Sequence, residues 1–209
     1  MPSRLDHLVY AVPDLEQAID DLAVRLGVRA AIGGRHPGRG THNALIALGP
    51  ASYLEIVAPD PSQPAPVAGR WFGVDGLASG PRLVTWAATA RDLPEAAARA
   101  AEAGVRFGEI GEGSRARPDG SVLRWRFTDP TTVIAGGVVP FLIDWAGDAH
   151  PAHGAPGGVR VAAFGARHPD PPQVLRWLAA LELELPVAPG DAPSLHARLR
   201  GPAGDVDLR

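Results

Sequence analysis

The sequence predicts an α+β protein built from repeated β-α-β-β-β units, and three observations carry that expectation. A strand-like stretch, Leu5-Asp6-His7-Leu8-Val9-Tyr10-Ala11-Val12, recurs as Leu83-Val84-Thr85-Trp86-Ala87-Ala88-Thr89-Ala90 and, more faintly, over residues 159–166. Asp14, Asp92 and Asp170 each stand 78 residues from the last, and each closes an apolar run and opens a helix-like one. A period of this length with a helix start at the same point marks a supersecondary unit copied within the chain. In the first copy, the helix-like segment is followed by short apolar runs parted by glycine- and proline-bearing turns. Helices would cover one face of each small sheet.

In the first unit (residues 3–60), residues 5–12 form the opening strand and Asp14 caps the helix after Pro13. Leu15, Ile19, Leu22 and Leu26 recur at spacings of three and four, which gives that helix one apolar face, and Gly27 ends it. Strands follow at residues 29–32, 44–48 and 53–57. Residues 61–80 form a linker, entered through a proline-rich stretch from Pro59 to Pro66. The second unit (81–147) repeats the order, with a helix from near Asp92 to Gly104 and strands at 122–127 and 138–145. The third (157–209) is weaker, with a strand at 159–166, a helix at 170–181 and short strands at 195–199 and 206–208.

Composition narrows the function. A hydrophobic share of 45% with 21% charged residues suits a soluble globular protein. A net charge of −3 gives no electrostatic case for nucleic acid or an anionic membrane. No apolar run approaches the ~20 residues that span a bilayer. Met1-Pro2-Ser3-Arg4 leads straight into the first strand, so no signal peptide and a cytoplasmic location are expected. With no Cys and no Lys in the chain, thiolate and Schiff-base chemistry are excluded. No nucleophile elbow, P-loop, zincin or dinucleotide fingerprint is present.

Alternation along the first strand puts Leu5, His7, Val9 and Ala11 on one face and Asp6, Leu8, Tyr10 and Val12 on the other. Glu55 sits between Leu54 and Ile56-Val57 in a segment otherwise suited to burial. A buried carboxylate is costly unless it is paired or bound to a metal. His7 and Glu55 thus offer one nitrogen and one oxygen ligand on one sheet, a set suited to Zn, Mn, Fe or Ni. A core histidine bonded to backbone and an edge carboxylate facing solvent are the plainer alternatives.

His42, after the turn Pro37-Gly38-Arg39-Gly40, is the candidate third polar group; a solvated loop is its alternative. Arg115 and Arg124 are candidate anion contacts, although Val122, Arg124 and Arg126 also read as a solvent face. Trp71-Phe72 is a candidate wall or lid, or core. His150 and His153 have a loop-like setting between the second and third copies.

The repeated unit, with His7 on its first strand and Tyr53-Leu54-Glu55 on its last, resembles the vicinal oxygen chelate superfamily. With the run from Gly34 to Asn43, it resembles the glyoxalase-like domain families within that superfamily. The resemblance covers residues 4–146 and extends weakly to the third copy. It implies paired modules whose mixed sheet forms a cup, with helices outside. A divalent metal there would be held by His7 and Glu55 and chelated by a substrate with adjacent oxygens. Glu55 would then also serve as general base, His42 as a third ligand or acid/base group, and Arg115, Arg124 and Trp71 would hold a small-molecule substrate. Isomerase, lyase, epimerase and dioxygenase chemistry all stay open. The second module departs from the pattern: Thr85 takes the place of His7 and Ile143 that of Glu55. That departure favours the rival reading, a binding or sequestering protein without catalysis. An odd third module predicts pairing in a homodimer.

Overall fold

The computed structural model describes residues 5–67, 69–77, 80–116 and 122–209, without the side chains of residues 115 and 116. Asp14, Asp92 and Asp170 accept hydrogen bonds from the backbone N–H groups of Gln17, Glu95 and Gln173, three residues on. Each carboxylate thereby satisfies a donor that the first helical turn leaves open. The helices so started are α1 (Leu15–Leu26), α2 (Leu93–Glu102) and α3 (Pro171–Ala180).

The first two units share one eight-stranded sheet. The first supplies β1 (Leu5–Ala11), β2 (Ala31–His36), β3 (Thr41–Gly49) and β4 (Ser52–Pro59). The second supplies β5 (Arg82–Thr89), β6 (Ile110–Ala116), β7 (Val122–Thr128) and β8 (Phe141–Asp144). The order is β2-β3-β4-β1-β5-β8-β7-β6. Within each unit the first strand runs parallel to the last, and β1 meets β5 antiparallel, so the units face each other across a pseudo-two-fold. The edge strands β2 and β6 touch, which curls the sheet into a cup.

Alternation then sorts the side chains. Leu8, Leu54, Ile56, Trp86 and Leu142 point outward and pack with the apolar faces of the helices. Val9, Val57, Phe127, Phe141 and Ile143 point inward, where the 3-10 segment Trp71–Gly76 packs against them.

The third unit forms its own sheet from β9 (Arg160–His168), β10 (Val187–Pro189), β11 (Ser194–Gly201) and β12 (Gly204–Leu208). It repeats the β-α-β-β-β sequence with a different strand order, β10-β9-β11-β12. Leu195, Ala197 and Leu199 are buried in the main core, and Phe164 packs edge-on against Trp86 at 5.5 Å. The third unit therefore has its partner within the chain, and its packing requires no second copy.

Two strands run further than the sequence suggests. β2 extends to His36 and β3 begins at Thr41, so the expected polar loop is a hairpin with a turn at residues 37–40. Backbone pairing, not side-chain hydrophobicity, holds its polar end. β6 and β10 were not expected: β6 is glycine-bearing with no apolar alternation, and β10 has three residues. Among the described residues, no helix is long and apolar enough to cross a membrane.

Candidate functional site

The parallel β1–β4 register sets His7 beside Tyr53 and Val9 beside Glu55, so His7 and Glu55 are diagonal neighbours on the concave face. Both are buried. On β3, Leu45 stands opposite Glu55 and Asn43 opposite Val57, which adds Asn43 to the same face. His36 follows on β2, opposite Thr41. A polar diagonal, His36, Asn43, Glu55 and His7, thus crosses the four strands of the first unit.

Its contacts orient its amide and set which nitrogen of His36 donates. Asn43 Nδ2 donates to Glu55 Oε1 at 2.6 Å and lies 3.3 Å from His36 Nε2. That orients the amide, because a carboxylate only accepts, and it makes His36 Nε2 an acceptor. His36 Nδ1 then donates to Thr41 Oγ1 at 2.8 Å. Glu55 Oε1 is 3.7 Å from His36 Nε2, and Glu55 Oε2 is 3.6 Å from His7 Nε2. The two imidazoles thus flank opposite oxygens of one carboxylate.

Behind His7 stands Asp6, whose Oδ1 accepts from His7 Nδ1 at 2.7 Å. Strict alternation would send Asp6 to the helix side. A register shift between Leu5 and His7 in the β1–β5 ladder brings it round beside His7 instead. Asp6 Oδ2 accepts from Trp145 Nε1 at 2.8 Å and Thr89 Oγ1 at 3.1 Å, and His150 Nε2 is 3.3 Å away. Burial pushes the Asp6 carboxyl up, but hydrogen bonding and charge from His150 and His7 outweigh it and hold the group well below the usual carboxylate range. A carboxylate on Nδ1 leaves the Nε2 lone pair of neutral His7 for the cup, as second-sphere carboxylates do for metal-ligating histidines.

The rest of the wall is apolar. His7 stacks on Tyr53 at 4.6 Å and meets the edge of Phe141 at 5.4 Å. The second unit contributes Leu123, Trp125, Phe127, Phe141 and Ile143, and the cavity holds about 530 Å³ of empty space, part of it open to solvent. Trp71 lies against His36 at 5.4 Å and Phe127 at 5.5 Å, and the Arg39 guanidinium stacks over it at 4.6 Å. Two buried polar atoms here have no hydrogen-bond partner: Asn43 Oδ1 and Trp71 Nε1.

The predicted residues divide accordingly. His7, Glu55 and Trp71 meet in the cup. His42 lies one residue out of phase, on a strand whose next outward residue, Ala44, joins the helix-side core; His36 and Asn43 take the place expected of it. Arg124 is exposed on the face of β7 opposite to Leu123 and Trp125, because strand alternation turns it from the cup. Arg115 stands opposite Leu123 in the β6–β7 register; its side chain, and Arg117 entirely, lie outside the described residues. Ile143 faces the cup as its alignment with Glu55 implies, and Thr85 lines a neighbouring cleft. Asp6 and His150 carry no local sign of their place here, since one depends on a bulge and the other on a contact across the chain.

The donor set of His7, His36 and Glu55 fits a first-row divalent ion chemically. As they stand, no three His, Cys, Asp or Glu side chains converge in ligating geometry among the described residues. The carboxylate stands 3.6 Å from one imidazole and 3.7 Å from the other, near the spacing of neighbouring ligands about 2.1 Å from an ion, and a shared ion would also have to take His36 Nε2 from Asn43.

A family model described as a glyoxalase-like domain matches residues 5–182. A hypothetical protein from Staphylococcus aureus shares the fold over 99% of this chain and 84% of its own, with a TM-score of 0.65 at 14% identity. Methylmalonyl-CoA epimerase from Mycobacterium tuberculosis overlays 68% of this chain and 85% of its own, at 24% identity and a TM-score of 0.43. The Streptomyces coelicolor methylmalonyl-CoA epimerase in complex with 2-nitronate-propionyl-CoA overlays 72% and 100%, at 22% identity and 0.48. No curated protein sequence matches the chain.

Proposed function

The chain belongs to the glyoxalase-like domain family, within the vicinal oxygen chelate superfamily, and on that premise we propose that it is a metal-dependent enzyme acting on a small carbonyl- or diol-bearing molecule. The observation that carries the reading is the Glu55 carboxylate flanked by His7 and His36 Nε2, with Asp6 fixing the ring of His7. His7, His36 and Glu55 would hold the ion, with His36 in the role the sequence assigned to His42. A bound divalent ion supplies Lewis-acid polarisation of a substrate oxygen.

The chain's own groups supply the rest. Asn43 engages Glu55 Oε1, which leaves Oε2 as the oxygen that accepts a proton from a substrate carbon or hydroxyl. Asp6 holds His7 through Nδ1, so that the Nε2 lone pair stays turned to the cup as a ligand. Trp71, Phe127 and Phe141 exclude water, which strengthens these interactions. Trp71 and Arg115 remain the proposed substrate contacts. The fold sets the site and leaves the reaction open among isomerase, lyase, epimerase and dioxygenase.

Elemental analysis of untagged protein purified without chelator tests the reading, beside His7→Ala, His36→Ala, Glu55→Ala and His42→Ala. Near-stoichiometric Zn, Mn, Fe or Ni is expected in the wild type and in His42→Ala, and its loss in the other three. Protein that neither carries these metals nor takes them up would overturn it. The rival reading, a non-catalytic small-molecule binder, draws on the second unit, where Thr85 and Ile143 stand in the places of His7 and Glu55. Ligand binding indifferent to chelator, in protein free of metal, is its signature.

A further inference from the structure

The cup has an unusual combination of a ring-lined wall and two buried hydrogen-bonding atoms without partners. Trp71, Trp125, Phe127, Phe141 and Trp145 present aromatic surface around it. Within that wall Asn43 Oδ1 is an acceptor without a donor, and Trp71 Nε1 a donor without an acceptor. Both residues are more than nine-tenths buried, at 7% and 8% exposure. The Asn43 assignment is secure against exchange of its amide atoms, because the nitrogen is the atom that must face the Glu55 carboxylate. Buried polar atoms are ordinarily paired, so an orphaned donor and an orphaned acceptor on one cavity are a ligand's complement.

We infer that the cup takes a small, flat aromatic molecule bearing both a hydroxyl and a carbonyl, the hydroxyl donating to Asn43 Oδ1 and the carbonyl accepting from Trp71 Nε1. The ring surface selects for an aromatic body by stacking and edge contacts. The two unpartnered atoms select for the pair of substituents, because an analogue lacking either leaves a buried group unpaired. This deepens the reading of the cup as the functional site, and it does not depend on a metal.

Isothermal titration calorimetry with chelator-treated protein provides the test. The probes are the 2-, 3- and 4-hydroxyacetophenones, acetophenone, phenol, and 3-acetylcyclohexanol as the saturated counterpart. At least one hydroxyacetophenone should bind roughly tenfold more tightly than acetophenone, phenol and the saturated analogue. Trp71→Phe keeps a ring and removes the N–H; it should cost that isomer roughly tenfold more than it costs phenol. Equal affinity for 3-acetylcyclohexanol, equal affinity for the singly substituted rings, or no binding by any isomer would each overturn the inference. Metal content is measured on the same batches before chelation. Probe selectivity without metal would defeat the metalloenzyme reading alone, and metal without probe selectivity would defeat this inference alone.

Discussion

Asp6 places a carboxylate where no solvent reaches it, and its stability contribution is therefore tied to pH. Its folded pKa lies below the unfolded value of 3.8, because donors from His150 and His7 outweigh the cost of burial. Such a group adds stability that is complete above the unfolded pKa and is lost as the pH falls through the folded one. Asp6→Asn sets an amide N–H against a shell of donors and should cost about 2–4 kcal/mol at pH 7. The gap from wild type should narrow as the pH is lowered from about 5 towards 2. Urea midpoints over that range measure it, and a gap constant with pH would show that charge is not the cause. The same residue shows what strand alternation can and cannot reveal. His7 and Glu55 are legible because each is a polar residue in an apolar strand. Asp6 is not, because a one-residue bulge reverses its face. His36 and Asn43 are hidden by a glycine-rich run that resembles a loop, and His42 is one residue out of phase with the face that matters.

At the scale of elements, local signals were the readable ones. A cap aspartate, an apolar stripe and a closing glycine all lie within a dozen residues, so α1 was legible to within a residue or two at either end. Asp14→Ala and Asp92→Ala should each cost about 1 kcal/mol in urea unfolding. The β2–β3 hairpin was less legible because its position rests on the linker that follows β4. Asp60 donates its backbone N–H to Gly40 O, and Arg70 Nε donates to the same oxygen at 2.9 Å. Gly40 has φ of 68°, and a Cβ there would stand 2.9 Å from Pro66 Cδ; Gly38 has φ of 73° with nothing within 4 Å. Gly38→Ala therefore carries only a conformational cost, about 1 kcal/mol. Gly40→Ala adds the clash and should cost about 1–3 kcal/mol more. It should also weaken whatever the cup binds, since the hairpin carries His36 and Asn43. Equal costs at the two glycines, by the same urea assay, would mean that the linker does not brace the hairpin.

Across the whole molecule, the question is whether the third unit is an appendage or part of one cooperative fold. The repeat period announces the unit, but nothing local announces its altered strand order or the surface it covers. The contacts are backbone-deep. Ala203 donates its N–H to Leu26 O at 3.1 Å, Leu83 N–H to Arg209 O at 2.6 Å, and Trp177 Nε1 to Ala103 O at 3.1 Å. Each of the first two units thus ends a helix or starts a strand against the third. Gly201 is where the approach is tightest: a Cβ there would lie 2.2 Å from Leu26 O, a backbone atom that α1 holds in place. Gly201→Ala must therefore push the third unit away from α1, at a cost of about 2–4 kcal/mol. If the core is shared, tryptophan fluorescence and far-ultraviolet circular dichroism should trace one urea transition in the wild type. The substitution should then move that whole transition to lower urea and leave it single. An early phase confined to part of the signal would instead mark the third unit as an independent domain. The first two units would then have to be stable with Trp86 and Leu26, both fully buried in the intact chain, exposed at its surface. A surface of that kind favours association over a free, folded pair of units, so a single transition is the outcome the packing supports.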